Sequence, residues 1–195
     1  MKRREQLSVI AQASGKKLWT KKKVNIQTKL KIYESIVKPV LTYNFAILAL
    51  TKNESKELDC IHRKQLRQVW NDKRIHNKQL YEKSREKPLS AEMKEARWRT
   101  FGHILRLPTS TPCQQSMNYY FECPPKAKKF RGRKKITLHV LLDNDLPEAA
   151  KYHQRFQIRH FKTREDVEIL RHLLNDGNGW KNLTNLIRCV VQGEQ

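Results

Sequence analysis

The sequence predicts an all-α protein, and three observations carry that prediction. Apolar residues recur at three- and four-residue spacing along most of the chain, as one face of a helix requires. Helix start signals stand ahead of these runs at Thr51, Ser90, Thr111 and Thr163. Glycine and proline are scarce, 6 and 7 among 195 residues, and no segment alternates apolar and polar residues as a half-buried strand would. A chain of this length can bury a real core, as one domain or two small ones.

Taken in order, residues 2–19 read as a short basic helix ending near Trp19, before Lys21, Lys22 and Lys23 break the pattern. Asn25 can cap a helix over 26–50, where Leu30, Tyr33, Val37, Val40, Leu41, Ile47 and Leu48 form a broad apolar arc. Lys31, Glu34, Ser35, Lys38 and Thr42 occupy its other side. Pro39 should kink or end this helix, having no N–H to donate and a ring that collides with the preceding turn. Thr51 and Glu54 form a capping box that opens a helix over 52–71. Leu58, Ile61, Leu66 and Val69 share one side of it with His62, and Lys56, Arg63 and Arg67 line the other with no acid among them. A short helix follows at 77–85. Pro88, Leu89 and Ser90 give a turn and an N-cap for a helix over 91–107 that buries Met93, Trp98, Phe101, Ile104 and Leu105. Arg99, His103 and Arg106 face away, among Glu92 and Glu95. Arg97 falls inside the apolar arc, where it must snorkel to the edge or meet a carboxylate from elsewhere.

Thr111, Pro112 and Gln114 start a helix over 112–121, with Gln114 completing a capping box. Cys123, Pro124 and Pro125 end it, and a basic loop over 124–136 leads on. Thr137 can cap a helix over 138–146 before Pro147, and Thr163 one over 164–175. Gly177 and Gly179 mark a turn before a last helix from Trp180 to about Val191. The expected organisation is a helical lobe over 1–86 and a helical C-terminal extension over 87–195, joined through basic loops.

Charge narrows the function. Lysine and arginine number 41 against 19 acids, a net charge of +22. Self-repulsion at that density opposes compaction, and a polyanion would relieve it. DNA and/or RNA is the first candidate partner, an anionic membrane surface a weaker one, and a merely solvated basic surface the third. Cys60, Cys113, Cys123 and Cys189 form no CxxC pair, and with His103 and His139 they match no zinc-finger spacing, so neither a metal nor a cofactor is expected. The basic N-terminus has no apolar run behind it, and Phe45 to Leu50 is too short to span a bilayer. An intracellular protein is expected, with a nuclear location open.

No catalytic constellation stands out. Asp143 and Asp145 are the one tempting carboxylate pair, but helix positions two apart point about 200° away from each other and cannot converge on metal ions. The sharpest functional feature is KAKKFRGRKK. Its cations are Lys126, Lys128, Lys129, Arg131, Arg133, Lys134 and Lys135, with Phe130 and Gly132 interleaved and no acid. Such a loop can lie along a phosphate backbone with a ring free to stack. Arg131, Gly132 and Arg133 also begin like an AT-hook, although Lys134 stands where its proline would be. A basic linker and a nuclear-import signal are the competing readings. Together with Lys56, Arg63, Arg67, Arg99 and Arg106, these cations are the candidate nucleic-acid contacts.

Four segments in order, KLKIYESIVKPVLTYN, LTKNESKELDCIHRKQLRQVW, PLSAEMKEARWRTFGHILRLP and FRGRKKITLHVLLDNDL, resemble the region downstream of the polymerase palm in non-LTR (LINE-type) retrotransposon reverse transcriptases. The family's thumb pattern is matched at Thr28 to Tyr33, Ser35, Val37, Pro39 to Leu41, Tyr43 and Leu50 to Lys52, and its leucine–arginine pair at Leu66 and Arg67. Later patterns are matched at Ile75, Asn77, Leu80, Tyr81, Pro88 to Ser90, Glu92, Arg97, Arg99 and Gly102 to Arg106, then at Arg131 to Arg133, Thr137, Leu138, Leu141, Leu142, Asp145 and Leu146. LRHLLNDGNGWKNLTNLI is similar to the family's terminal region, so nearly the whole chain is covered. It departs from the family where GxETW is NFAIL and where the proline of RGRP is Lys134, and it carries no YxDD box. The resemblance implies a thumb-like lobe that grips a template–primer duplex by its backbone and a tail that holds template RNA or target DNA. The expected protein is a truncated or mis-started copy of such an element: a non-specific nucleic-acid-binding remnant without polymerase activity, its oligomeric state open. The alternatives are a vestigial or domesticated basic helical interaction protein, or an unrelated ribosomal or chromatin-type basic module.

Overall fold

A computed structural model describes residues 2–44, 48, 50–122, 140–146, 163–176 and 178–184. Every regular element among them is a helix, and the protein is all-α. The helices are α1 (Lys2–Ser14), α2 (Lys16–Thr20), α3 (Ile26–Ile32), a π-helical turn (Tyr33–Val37), α4 (Lys38–Thr42), α5 (Lys52–Trp70), α6 (Asn77–Ser84), α7 (Leu89–Arg106), α8 (Pro112–Glu122), α9 (140–146), α10 (Arg164–Asn175) and α11 (178–184). Packing divides the chain between Met93 and Lys94, inside α7, into two units.

Local chemistry explains most of the boundaries. Asn25 caps α3 by accepting the Gln27 N–H. Thr51 accepts the Glu54 N–H at 3.3 Å while the Glu54 carboxylate accepts the Thr51 N–H at 2.8 Å, so the capping box closes in both directions. Thr163 and Asp166 do the same at the start of α10. Asn71 and Arg85 end α5 and α6 in the left-handed conformation, at φ 52° and 57°.

Three boundaries differ from the sequence expectation. The helix expected over 2–19 is broken at Gly15, because the Trp19 indole folds back onto that glycine and a Cβ there would lie 2.5 Å from Trp19 Cζ2. The helix expected over 26–50 ends at Thr42. Before Pro39, the backbone widens into the π-helical turn, which relieves the clash between the proline ring and the carbonyl four residues back. The helix expected over 91–107 starts earlier, at Leu89, and Ser90 is not its cap. The Ser90 N–H and hydroxyl instead donate to the buried Asp59 carboxylate of α5, at 2.9 and 2.6 Å. A carboxylate from another helix thus satisfies the first turn of α7, where the helix dipole favours negative charge. Gln114 also departs from its expected capping role: it is buried, and its Oε1 has no hydrogen-bond partner among the described residues. The reading of Thr137 as a cap lies outside the described residues.

The first unit packs two apolar clusters around α5. Trp19, Leu30, Tyr33, Val37, Leu66, Val69, Ile75 and Leu80 form one, and Leu41, Leu58, Ile61, Leu89 and Met93 the other. The second unit gathers Trp98, Phe101 and Leu105 of α7, Met117 of α8, Leu142 and Leu146 of α9, Val167, Leu170 and Leu174 of α10, and Trp180 and Leu183 of α11. Trp98 meets Phe101 edge-on at 5.9 Å between centroids and Trp180 at 6.1 Å. The Trp180 ring lies so close to the α7 backbone that a Cβ at Gly102 would fall 2.5 Å from its Cζ2. The arginine that the sequence left inside the apolar arc finds its carboxylate: Arg97 Nη1 donates to Asp145 Oδ2 at 2.9 Å, and Trp98 Nε1 donates to the same oxygen at 3.1 Å.

Candidate nucleic-acid interface

α5 is amphipathic, so its packing fixes which cations face outward. With Leu58, Ile61, Leu66 and Val69 inside, Lys56 and Lys64 are exposed and Arg63 and Arg67 are half-buried. Lys64 was not singled out from sequence, although it lies two helical turns beyond Lys56.

The row is less uniform than its spacing suggests. Arg67 is tied to the turn that follows its helix, donating from Nε to the Ile75 carbonyl at 3.1 Å and from Nη2 to Asn77 Oδ1 at 2.6 Å. Burial raises the pKa of both Asp59 and Tyr81, and the Arg63 guanidinium, one turn beyond Asp59, pulls each part of the way back down. Lys56 and Lys64, by contrast, pair with no carboxylate among the described residues.

In the second unit, Arg99 is exposed and pairs with Glu95 one turn earlier at 2.9 Å. Such a solvent-exposed pair contributes little and leaves the guanidinium available. Arg106 is exposed in the last turn of α7, where a cation suits the helix dipole. Lys126, Lys128, Lys129, Arg131, Arg133, Lys134 and Lys135 lie outside the described residues.

The inner face of α5 holds a polar network. Tyr33 Oη lies 2.7 Å from His62 Nδ1 and donates to Gln65 Oε1 at 3.2 Å. Gln65 Nε2 donates to Ser8 Oγ at 3.0 Å, and Gln12 Nε2 to the Gln65 carbonyl at 3.3 Å. Lys38, expected on the solvent side, bridges Glu86 at 2.6 Å and Glu92 at 2.8 Å. Burial alone would lower the Lys38 pKa, but its hydrogen bonds to the two glutamates raise it overall. Burial pushes Glu86 up despite Lys38, and pushes Tyr33 well up. Burial, then the charges of Lys38 and Arg63, push His62 down to about 3, so it is neutral at physiological pH.

These groups bond to one another, although Gln12 Oε1, His62 Nε2 and Glu86 Oε1 are buried with no hydrogen-bond partner among the described residues. Asp145 is likewise held in the core by Arg97 and Trp98, and burial raises its carboxyl pKa even so. No group of three histidine, cysteine, aspartate or glutamate side chains among the described residues could hold a metal ion. No helix among them is long and apolar enough to cross a membrane. Cys60 and Cys113 are free thiols. What the described surface offers is cationic side chains on helices, at Lys56, Lys64, Arg99 and Arg106.

No protein-family model, curated protein or solved structure matches the chain.

Proposed function

We propose that this chain binds nucleic acid through its phosphate backbone, without sequence preference and without polymerase activity of its own. In this reading it is a remnant of the thumb and C-terminal region of a non-LTR retrotransposon reverse transcriptase. The observation that carries the proposal is the cation surplus of +22, set beside outward lysines at Lys56 and Lys64 that no carboxylate neutralises among the described residues. The second support is the acid-free loop from Lys126 to Lys135. Polar side chains arrayed to meet base edges are not a feature of either stretch, so the expected contacts read charge and not sequence.

The test is a salt series of fluorescence anisotropy titrations on two unrelated duplexes and one hairpin RNA. Affinity should fall steeply with salt, with a log–log slope near −0.9 per phosphate neutralised on duplex DNA. Replacing Lys128, Arg131 and Arg133 together by glutamine should flatten the slope by roughly two to three and weaken all three ligands alike. An unchanged slope would leave the loop as a linker or an import signal. A marked preference for one duplex would rule out a sequence-blind grip.

A further inference from the structure

The helix α1 is turned inside out. Its serine and glutamine at positions 8 and 12 are buried, at 0% and 4% exposure, where they bond to Gln65. Its Leu7, Val9 and Ile10 are exposed. The same helix packs against the π-helical turn and α4; Ile36 in that turn and Tyr43, just past the end of α4, are exposed. Tyr43 is 71% exposed, the most open of the large apolar side chains described. The guanidinium of Arg4 lies over its ring, 5.9 Å from the centroid. One ring face is therefore held by a cation, and the side chain otherwise stands in solvent.

The charge of the stretch that carries this ring points to what could cover it. The first 44 residues hold 11 lysines and arginines and only two acids, Glu5 and Glu34. Lys29 is committed to the Trp19 carbonyl and Lys38 to Glu86 and Glu92. Arg3, Lys16, Lys17, Lys21, Lys22, Lys23 and Lys31 remain exposed. A second copy of the chain would bring the same positive charge to the patch and be repelled. A polyanion with flat apolar groups is complementary on both counts, since every nucleobase has a face that stacks on an aromatic ring.

Resting on the nucleic-acid reading above, we infer that Tyr43 is a base-stacking platform for single-stranded nucleic acid, with Arg4 over one face of its ring and the surplus cations of the N-terminal stretch drawing in the strand's phosphates. Duplex bases are already stacked on one another and cannot use the ring. Tyr43 therefore separates single strands from duplexes, whereas the lysines do not.

The test compares the full chain with Tyr43→Ala and Tyr43→Phe, on an oligo-dT strand and on a duplex, across a salt series. A strand carrying 2-aminopurine provides a stacking signal. Tyr43→Ala should weaken binding of the single strand about ten-fold, leave its salt slope unchanged, and leave duplex binding as it was. Tyr43→Phe should keep wild-type affinity and the 2-aminopurine quenching that Tyr43→Ala loses. The side chain is largely in solvent, so neither substitution removes core packing, and matching helical circular dichroism confirms it. Equal losses on strand and duplex would overturn the inference, as would a Tyr43→Phe defect as large as that of alanine. Full single-strand affinity in Tyr43→Ala would overturn it too. If the wild type binds neither ligand at low salt, the nucleic-acid reading falls as well; if it binds both and Tyr43→Ala changes nothing, only the platform falls.

Discussion

His62 makes the stability of the first unit depend on pH in a direction that can be worked out beforehand. Its imidazole is fully buried, 2.7 Å from Tyr33 Oη and 4.0 Å from Glu86 Oε2, with Lys38 and Arg63 adding positive charge and Tyr81 packed alongside. The folded value is about 3, against about 6.5 for an unperturbed histidine. The unfolded chain thus takes up a proton that the folded chain refuses. Stability from this residue is complete above about pH 6.5 and is lost as pH falls toward the folded value. The full shift corresponds to about 5 kcal/mol, of which about 2 kcal/mol is already lost at pH 5.

Glu86, Asp59 and Asp145 act in the opposite sense, because burial raises their folded values and protonation favours the fold. The informative quantity is therefore a difference. Urea unfolding followed by tryptophan fluorescence at pH 7, 6 and 5 should be run on the wild type and on His62→Gln, whose amide can still hydrogen-bond the Tyr33 hydroxyl. Between pH 7 and 5 the wild type should lose about 2 kcal/mol more than the variant. Parallel pH profiles for the two proteins would refute the buried, neutral histidine.

Other perturbations follow from the same structure. Asp145→Ala strands the Arg97 guanidinium in the core and should cost about 3–5 kcal/mol in chemical unfolding, most of it recovered when Arg97→Met and Asp145→Leu are combined. Asp59→Ala removes the acceptor for the Ser90 N–H and hydroxyl and should cost about 1–2 kcal/mol, read from thermal melts. Gly102→Ala drives a methyl into the Trp180 ring and should cost about 1–3 kcal/mol, with a changed near-ultraviolet circular dichroism spectrum. The isolated chain should incorporate no nucleotide on a primed template with magnesium or manganese; incorporation abolished by Asp143→Ala or Asp145→Ala would contradict the placement of Asp145 in the core.

How far the sequence could be read depended on the distance between partners. The boxes at Thr51 and Thr163 close within three residues, so their residue types announce them. Ser90 reads locally as an N-cap, but its partner is Asp59, 31 positions earlier, and no local pattern links the two. Lys38 sits where helical spacing puts a solvent-facing charge, yet Glu86 and Glu92 approach it from 48 and 54 positions away. The inward face of α1 was not legible for a related reason: its Ser8 and Gln12 find their partner in Gln65 of α5, more than 50 positions away. Arg97 was legible as an anomaly, because a charge among apolar neighbours requires a countercharge.

The cations of α5 divide between one tied into the fold and others standing in solvent. This helix presents Asp59 to the start of α7, His62 and Gln65 to Tyr33, and Arg67 to the turn before α6. An arginine holding the Ile75 carbonyl is part of the fold whether or not it also meets a phosphate. Lys56 and Lys64 hold nothing else among the described residues. Neutralising the two lysines should therefore weaken nucleic-acid binding while leaving the unfolding free energy within about 0.5 kcal/mol of wild type. Arg67→Gln should lower stability by about 1–3 kcal/mol, and any loss of binding it shows must first be corrected for unfolded chain. A stripe of like charges on one helix face thus has two parts, and only its exposed lysines can report on the partner without also reporting on the fold.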